Sequence, residues 1–341
     1  MIKVEQSKPM ITLNRKYLAS LILILGSSFT TTSTKINKIV IIGGGPAAYS
    51  AAVSAANAKL EPIVIEGNEP GGQPIKAGNI KNFPSHKSIN GGDLVLNMRE
   101  HAKDLGAQLI DEQVTKVDFK KNPFTVWTSE GQTILAQTVI IATGSEPIKL
   151  NCPGEDKCWG KGVIVCAKCD GYLFKDKSVV IVGGGYSALR EVGNLKAHTN
   201  NITLINPKEK LSGPQFLINQ VNDSKIKILN NYTVKQILEK DGYVTGVEIV
   251  NNQTKETQTI DAQGVLIGLG WKPSSQIFKG QVTLDSKQQI IVTNDTDTSV
   301  PGVFAAGDVT NKARHQLFIA ASSGFTAAMD AEKYLHDRNL I

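Results

Sequence analysis

All four cysteines of the chain, Cys152, Cys158, Cys166 and Cys169, fall within 18 residues. The last two form Cys166-Ala167-Lys168-Cys169, a spacing that lets two thiols close a small ring and so suits a reversible dithiol–disulfide pair. Asp170 follows directly and can give or take a proton as a thiolate forms. A zinc ion is a competing use of the cluster. However, Cys-x5-Cys followed by Cys-x2-Cys lacks the paired short spacing of a zinc ribbon. A disulfide-stapled secreted fold would spread its cysteines through a shorter chain. Cys152 and Cys158 carry no assigned chemistry. The five histidines (His86, His101, His198, His315 and His336) show no metal-ligand spacing, so no metal site is expected.

Glycine carries the second chemical signal. Gly43-Gly44-Gly45-Pro46-Ala47-Ala48 follows the β-branched run Ile39–Ile42 and precedes an alanine-rich helical pattern, 49–59; a strand pattern, 62–65, then ends at Glu66. In such a unit the glycines admit a sharp turn and let a pyrophosphate reach backbone N–H groups at the helix start. Ala48 is small enough for helix and strand to pack closely, and Glu66, 21 positions after Gly45, is placed to accept from a ribose hydroxyl. The pattern returns 140 residues later as Val179–Val182, Gly183-Gly184-Gly185-Tyr186-Ser187-Ala188, a helix-compatible stretch and a strand over 202–205. Two such units predict two facing dinucleotides, most economically a flavin and a nicotinamide; an old duplication that binds nothing is the plain alternative for the second. At its ribose position stands Asn206, followed by Pro207-Lys208-Glu209-Lys210. Without a carboxylate there, preference for NADH loses its usual cause. Lys208 and Lys210 offer charge to a 2′-phosphate without the fork of arginine, or are simply solvated surface lysines.

These groups need elements to position them, and 341 residues, 41% of them hydrophobic, give room for two domains with a core each. A charged fraction of 20% with 6% aromatics argues against wholesale disorder and against a polytopic membrane protein. The formal net charge is +6, but residues 1–35 carry five basic residues against one acid and leave only +2 to the rest, so no nucleic-acid footprint is expected. That N-terminal stretch reads as a leader: Lys8, Arg15 and Lys16 precede the apolar run Leu18–Leu25, and a Ser/Thr-rich segment follows. The run is far short of the ~20 residues a transmembrane helix needs. A secretory signal, an organellar transit peptide and a plain disordered extension all fit it. The expected location is cytoplasmic, with an organellar or exported destination if residues 1–35 are a targeting segment. The folded part is expected to start at Ile36.

Taken in order, GGGPAAY (43–49), GGQ (71–73), NFP (82–84), IATGSEP (141–147), CAKCDG (166–171), GGGYSA (183–188) and GVFAAGD (302–308) resemble the low-molecular-weight thioredoxin reductases from about Ile36 to the C-terminus. The resemblance implies an α/β fold with two Rossmann-like dinucleotide-binding domains. A nucleotide domain, 152–270, would be inserted into a split FAD domain, 36–151 and 271–341. It also implies a homodimer that passes electrons from NADPH through FAD and the Cys166/Cys169 pair to a thioredoxin-like protein. Carried over by position, FAD is held by Gly43, Gly45, Pro46, Ala47, Glu66, Gly71, Gly72, Gln73, Asn82, Val114, Ala142, Thr143 and Gly144, with Gly307, Asp308 and Gln316 from the late segment. Gly183, Gly185, Ser187, Ala188 and Lys208 would form the nucleotide site. Cys169 would face the flavin, Cys166 would attack the partner disulfide with Asp170 as acid, and a domain rotation would expose the pair.

The departures from that pattern bear on the electron donor. The family usually reads NADPH with a His-Arg-Arg run and a later Arg, where this chain has Asn206-Pro207-Lys208 and Ser212. Tyr186 replaces a small acidic or amide residue, Arg190 an acid, and His315 an arginine. Relatives without the arginines take electrons from ferredoxin or another flavoprotein, so ferredoxin or flavodoxin stands beside NADPH as the expected donor. A flavin-linked ferredoxin–NADP reductase shares the fold but has no use for Cys166 and Cys169. From another class, the alternative is a flavin-binding redox sensor or partner module with a vestigial nucleotide site.

Overall fold

The computed structural model describes residues 35–341, so the expected leader lies outside the described residues. Among the described residues no helix is long and apolar enough to cross a membrane.

The first strand, Ile36–Ile42, is β-branched and buried over its last four residues, as a strand with both faces covered must be. It pairs in parallel with Ile63–Ile65 on one side and Thr133–Ile141 on the other. Gln108–Ile110 extends the sheet beyond Ile63–Ile65, and the antiparallel strands Phe124–Thr128 and Val114–Asp118 extend it at the far side. Val303–Ala305 returns from much later in the chain to pair in parallel with Val139–Ile141.

Between those two segments the chain builds a second, all-parallel sheet. Its order is Val163–Ile164, Gly264–Ile267, Val179–Val182, Ile202–Asn206, Lys227–Asn230. A three-stranded antiparallel sheet, Tyr232–Lys240, Tyr243–Asn251 and Thr257–Asp261, accompanies it. The chain enters this body along Ser145–Pro147 and leaves along Trp271–Pro273, and these two short strands pair antiparallel with Trp271 opposite Pro147. The fold is thus α/β, with one Rossmann-like body inserted into another.

The two glycine turns sit where the sequence puts them, but the first helix begins earlier than its alanine pattern. It spans Pro46–Asn57, because a proline fits the first helical position, where no N–H is needed. The long C-terminal helix, Leu317–Asp337, lies against it. Ala320, Ala327, Ala328 and Ala331 share a buried cluster with Ala48, Ala51, Ala52 and Ala55. Side chains this small bring the two backbones close: a Cβ on Gly324 would stand 1.9 Å from the Ala47 carbonyl oxygen.

Candidate active site

Both glycine turns are built alike. Each runs from a buried parallel strand into a helix with no side-chain cap, no acid in its first turn and glycine at the N-cap. The first backbone N–H groups are therefore free to meet an anion, and the helix dipole favours one. A crossing segment holds each turn from outside: Gly71 N–H donates to the Gly44 carbonyl at 2.6 Å, and Ser212 N–H to the Gly184 carbonyl at 2.7 Å. Neither middle glycine can carry a side chain. A Cβ at Gly44 would lie 2.5 Å from the Glu66 carbonyl oxygen, and one at Gly184 would lie 2.0 Å from Asn206 Oδ1.

Around the first turn the structure gathers most of the residues expected to hold the flavin. Ala142 abuts Gly43 and donates its N–H to the Ile42 carbonyl at 2.8 Å. Thr143 Oγ1 donates to the Ser274 carbonyl at 2.7 Å and the Gly144 carbonyl accepts from Ser274 N–H at 3.0 Å, tying this edge to the outgoing crossover. Gly72 borders Gly45, and Gln73 opens a short helical turn, Gln73–Lys76. Gly307 packs on Ala47 and donates its N–H to Ser323 Oγ at 2.8 Å; Asp308 Oδ1 accepts from His315 N–H at 3.0 Å. Val114 opens the edge strand and packs half-buried on the core that holds Ile65 and Val117. The uncapped helix start, crossed by Gly71–Gly72, fits the pyrophosphate of FAD.

Glu66 is more heavily engaged than its spacing suggests. Its carboxylate has no exposed surface and accepts from Tyr49 Oη at 2.6 Å, Arg99 Nε at 2.8 Å and Arg99 Nη2 at 2.7 Å. A carboxylate offers about four acceptor positions, and the chain itself fills three of them here. The Tyr49 phenol is pushed well above its ordinary range by burial first and by Glu66 second. Tyr49 and Arg99 are partners that the fingerprint does not reveal, since Arg99 comes from another helix, Gly91–Asp104.

Cys166 and Cys169 form a disulfide with Cα atoms 5.3 Å apart. Cys166 is the N-cap of the short helix Ala167–Asp170, which contains Cys169 and whose first amide, that of Ala167, donates to Glu191 Oε2 at 2.8 Å from the second glycine-turn helix. Gln316 Nε2 faces both sulfurs, 3.9 Å from Cys166 Sγ and 3.7 Å from Cys169 Sγ, while Gln316 Oε1 accepts from Asn82 Nδ2 at 2.9 Å. Asn82 and Gln316 thus lead to the cystine itself. Burial pushes the half-buried Asp170 carboxyl up to about 6. Beside this centre the Trp271 and His315 rings stack with centroids 4.4 Å apart, and His315 Nδ1 lies 3.6 Å from Asp308 Oδ2. Trp271 was not singled out by any motif; it lies 44 positions from His315, and only the outgoing crossover brings it there.

At the second turn Ala188 is buried under Gly183, and Ser187 follows the exposed Tyr186 that opens the helix. Asn206 is buried with both ends of its amide committed: Nδ2 donates to Asn230 Oδ1 at 2.9 Å and Oδ1 accepts from Lys208 N–H at 3.2 Å. Lys208 and Lys210 are exposed. Arg190 turns away to pair with Glu191 at 3.1 Å.

Two Rossmann-like bodies with a cystine between them define a flavin disulfide oxidoreductase. Residues 37–324 match the family Pyridine nucleotide-disulphide oxidoreductase. The thioredoxin reductase of Rickettsia conorii is 40% identical over 304 residues, covering 88% of this chain and 98% of the relative. The solved thioredoxin reductase from Giardia duodenalis superposes with a TM-score of 0.85 at 34% identity, covering 89% of this chain and all of that one. The Lactococcus lactis thioredoxin reductase in its FR conformation covers 88% of this chain and 99% of its own at 29% identity, with a TM-score of 0.61. The chain belongs to the pyridine nucleotide-disulphide oxidoreductases and, within them, to the thioredoxin reductase family.

Proposed function

We propose that this enzyme takes electrons from NADPH bound at the second glycine turn and delivers them to a thioredoxin-like protein disulfide. The observation that carries the donor is the repeated construction of the turn. The Ser212–Gly184 contact reproduces the Gly71–Gly44 contact of the flavin site, and the helix start beyond it is equally uncapped. No acid stands at the ribose position to repel a 2′-phosphate, and Lys208 and Lys210 supply charge. In this reading 36–151 and 271–341 hold FAD through the residues around the first turn, and 152–270 hold the nucleotide through Gly183, Gly185, Ser187, Ala188 and Lys208. FAD, when bound, supplies the two-electron relay between nucleotide and cystine.

The residues of the chain then handle sulfur and protons. Gln316 keeps both sulfurs at the mouth of the flavin site. Once the pair is reduced, the Cys166 thiolate attacks one sulfur of the partner disulfide, and the other partner sulfur leaves as a thiolate that takes a proton. The Cys169 thiolate next attacks Cys166 Sγ, restores the cystine and releases the second partner thiolate, which is protonated in turn. Two electrons and two protons reach the partner. Asp170, with its carboxyl near 6, is the group beside the pair able to lend a proton. A pair that must return to the dithiol in each cycle suits a cytoplasmic setting. The chain pairs as a homodimer through the outer face of its C-terminal helix.

A second reading has its own support. No arginine stands at 206–208 or 212, so the second site lacks the bidentate grip on a phosphate, and ferredoxin or flavodoxin would then be the donor. An anaerobic titration separates the two. Bleaching of the flavin near one equivalent of NADPH is expected, with the Lys208→Ala, Lys210→Ala double variant raising the KM for NADPH about tenfold and leaving that for NADH unchanged. Flavin reduced by dithionite but by neither nucleotide would assign the electrons to an external protein donor.

A further inference from the structure

The cystine segment touches the flavin-side body at a second place besides Gln316. Tyr172 lies two residues beyond Asp170, and its half-buried ring sits under the Lys81 ammonium, 3.8 Å from the centroid. Its hydroxyl reaches the Asn79 carbonyl at 3.4 Å. Asn79 and Ile80 pair antiparallel with Ile89 and Asn90, and the Asn90 side chain caps the helix Gly91–Asp104 by accepting from Gly92 N–H and Asp93 N–H. The gripping strand is therefore anchored in the body that carries the first glycine turn. Its next residue but one, Asn82, is the donor to Gln316. One segment, 79–82, thus holds the cystine twice: at the sulfurs through Gln316 and at the following turn through Tyr172. Among the described residues Lys81 makes no ion pair.

We propose that Lys81 and the backbone carbonyl of Asn79 position the cystine. Acting through Tyr172, they keep the cystine turned toward the flavin site, and their release frees Cys166 to meet a protein disulfide. Cys166 is half-buried, with the Gln316 amide 3.9 Å from its sulfur, so the clasped segment hinders a protein disulfide from reaching that sulfur. A cation over a ring at an exposed site is a weak link, and a weak link is what a clasp that opens in every cycle requires. The clasp deepens the disulfide-reductase reading and rests on it for the turnover part of its test.

The test compares Lys81→Met, which keeps the stem and removes the charge, with Lys81→Arg, which keeps a cation over the ring. The holoenzyme is reduced with dithiothreitol, and alkylation of Cys166 by iodoacetamide is timed by mass spectrometry. Lys81→Met is expected to alkylate about two- to fivefold faster than the parent, Lys81→Arg at the parental rate, and the urea midpoints to coincide. The KM for the partner protein should fall in Lys81→Met, because a larger fraction of the enzyme is open to it. Parental alkylation in Lys81→Met, or failure of Lys81→Arg to restore it, would overturn the clasp. Faster alkylation in an enzyme that reduces no protein disulfide would leave the clasp standing and sink the disulfide-reductase reading.

Discussion

Asp170 shows how far a single residue could be read in advance. Its place after Cys169 marks it as an acid, but only the fold shows that burial lifts its carboxyl from an ordinary 3.8 to about 6. The folded chain therefore keeps this proton up to about pH 6, whereas the unfolded chain loses it near pH 4. The stability tied to the neutral form is complete below about pH 4 and is lost as pH rises through 6. Asp170→Asn, neutral at every pH, should unfold at a higher urea concentration than the parent at pH 8, by about 2 kcal/mol, with the gap closing at pH 4. The same variant should lower kcat for partner reduction about a hundredfold in stopped-flow assays, since an amide cannot pass the proton. Glu66 teaches the opposite lesson. Its spacing gave it a ribose, yet its buried charge is met first by Arg99, 33 positions away on another helix, and no local pattern announces that pair.

At the scale of elements, the two Rossmann-like units were legible because each glycine turn is framed by its own apolar strands, whereas the insertion of one into the other came only from the family resemblance. The crossovers were not legible. Ser145–Pro147 and Trp271–Pro273 are three-residue strands, too short to show a period, and they set Trp271 on His315. The packing of the C-terminal helix on Pro46–Asn57 was equally hidden, because a glycine among alanines looks like ordinary helix sequence. In the fold, Gly324 is where the C-terminal helix presses on the backbone of the glycine-turn helix, at Ala47. Gly324→Ala would drive a Cβ to 1.9 Å from the Ala47 carbonyl oxygen, a backbone atom of the phosphate turn that cannot rotate away. The expected result is a loss of about 2 kcal/mol or more in denaturant unfolding. FAD retention on gel filtration should weaken as well, because the displaced helix start is the one proposed to meet the pyrophosphate. Unchanged stability with full retention would show that the helices can part without disturbing the turn.

For the molecule as a whole, the C-terminal helix poses a question that one chain does not answer. Its buried face is mostly alanine, with Gly324 and Leu335, while Phe318, Ile319, Phe325 and Met329 stand about half exposed on other faces. A helix that spends its small residues inside and shows its large apolar ones to solvent has a second surface to bury. Resemblance alone suggested a homodimer; the placement of these four side chains gives that expectation a location. Charges placed there should separate the copies without touching electron transfer, because both glycine turns and the cystine lie within one chain. Sedimentation at micromolar concentration should give a dimer for the parent and a monomer for Phe325→Asp with Met329→Asp. The double variant should still bleach with donor and reduce its own cystine at the parental rate in a single turnover. A parent that sediments as a monomer would remove the dimer. A double variant that stays dimeric would place the interface on another face. A variant that is monomeric but slow would mean that the second copy shapes the flavin site, most directly through Gln316 and Asp308 at the near end of the same helix.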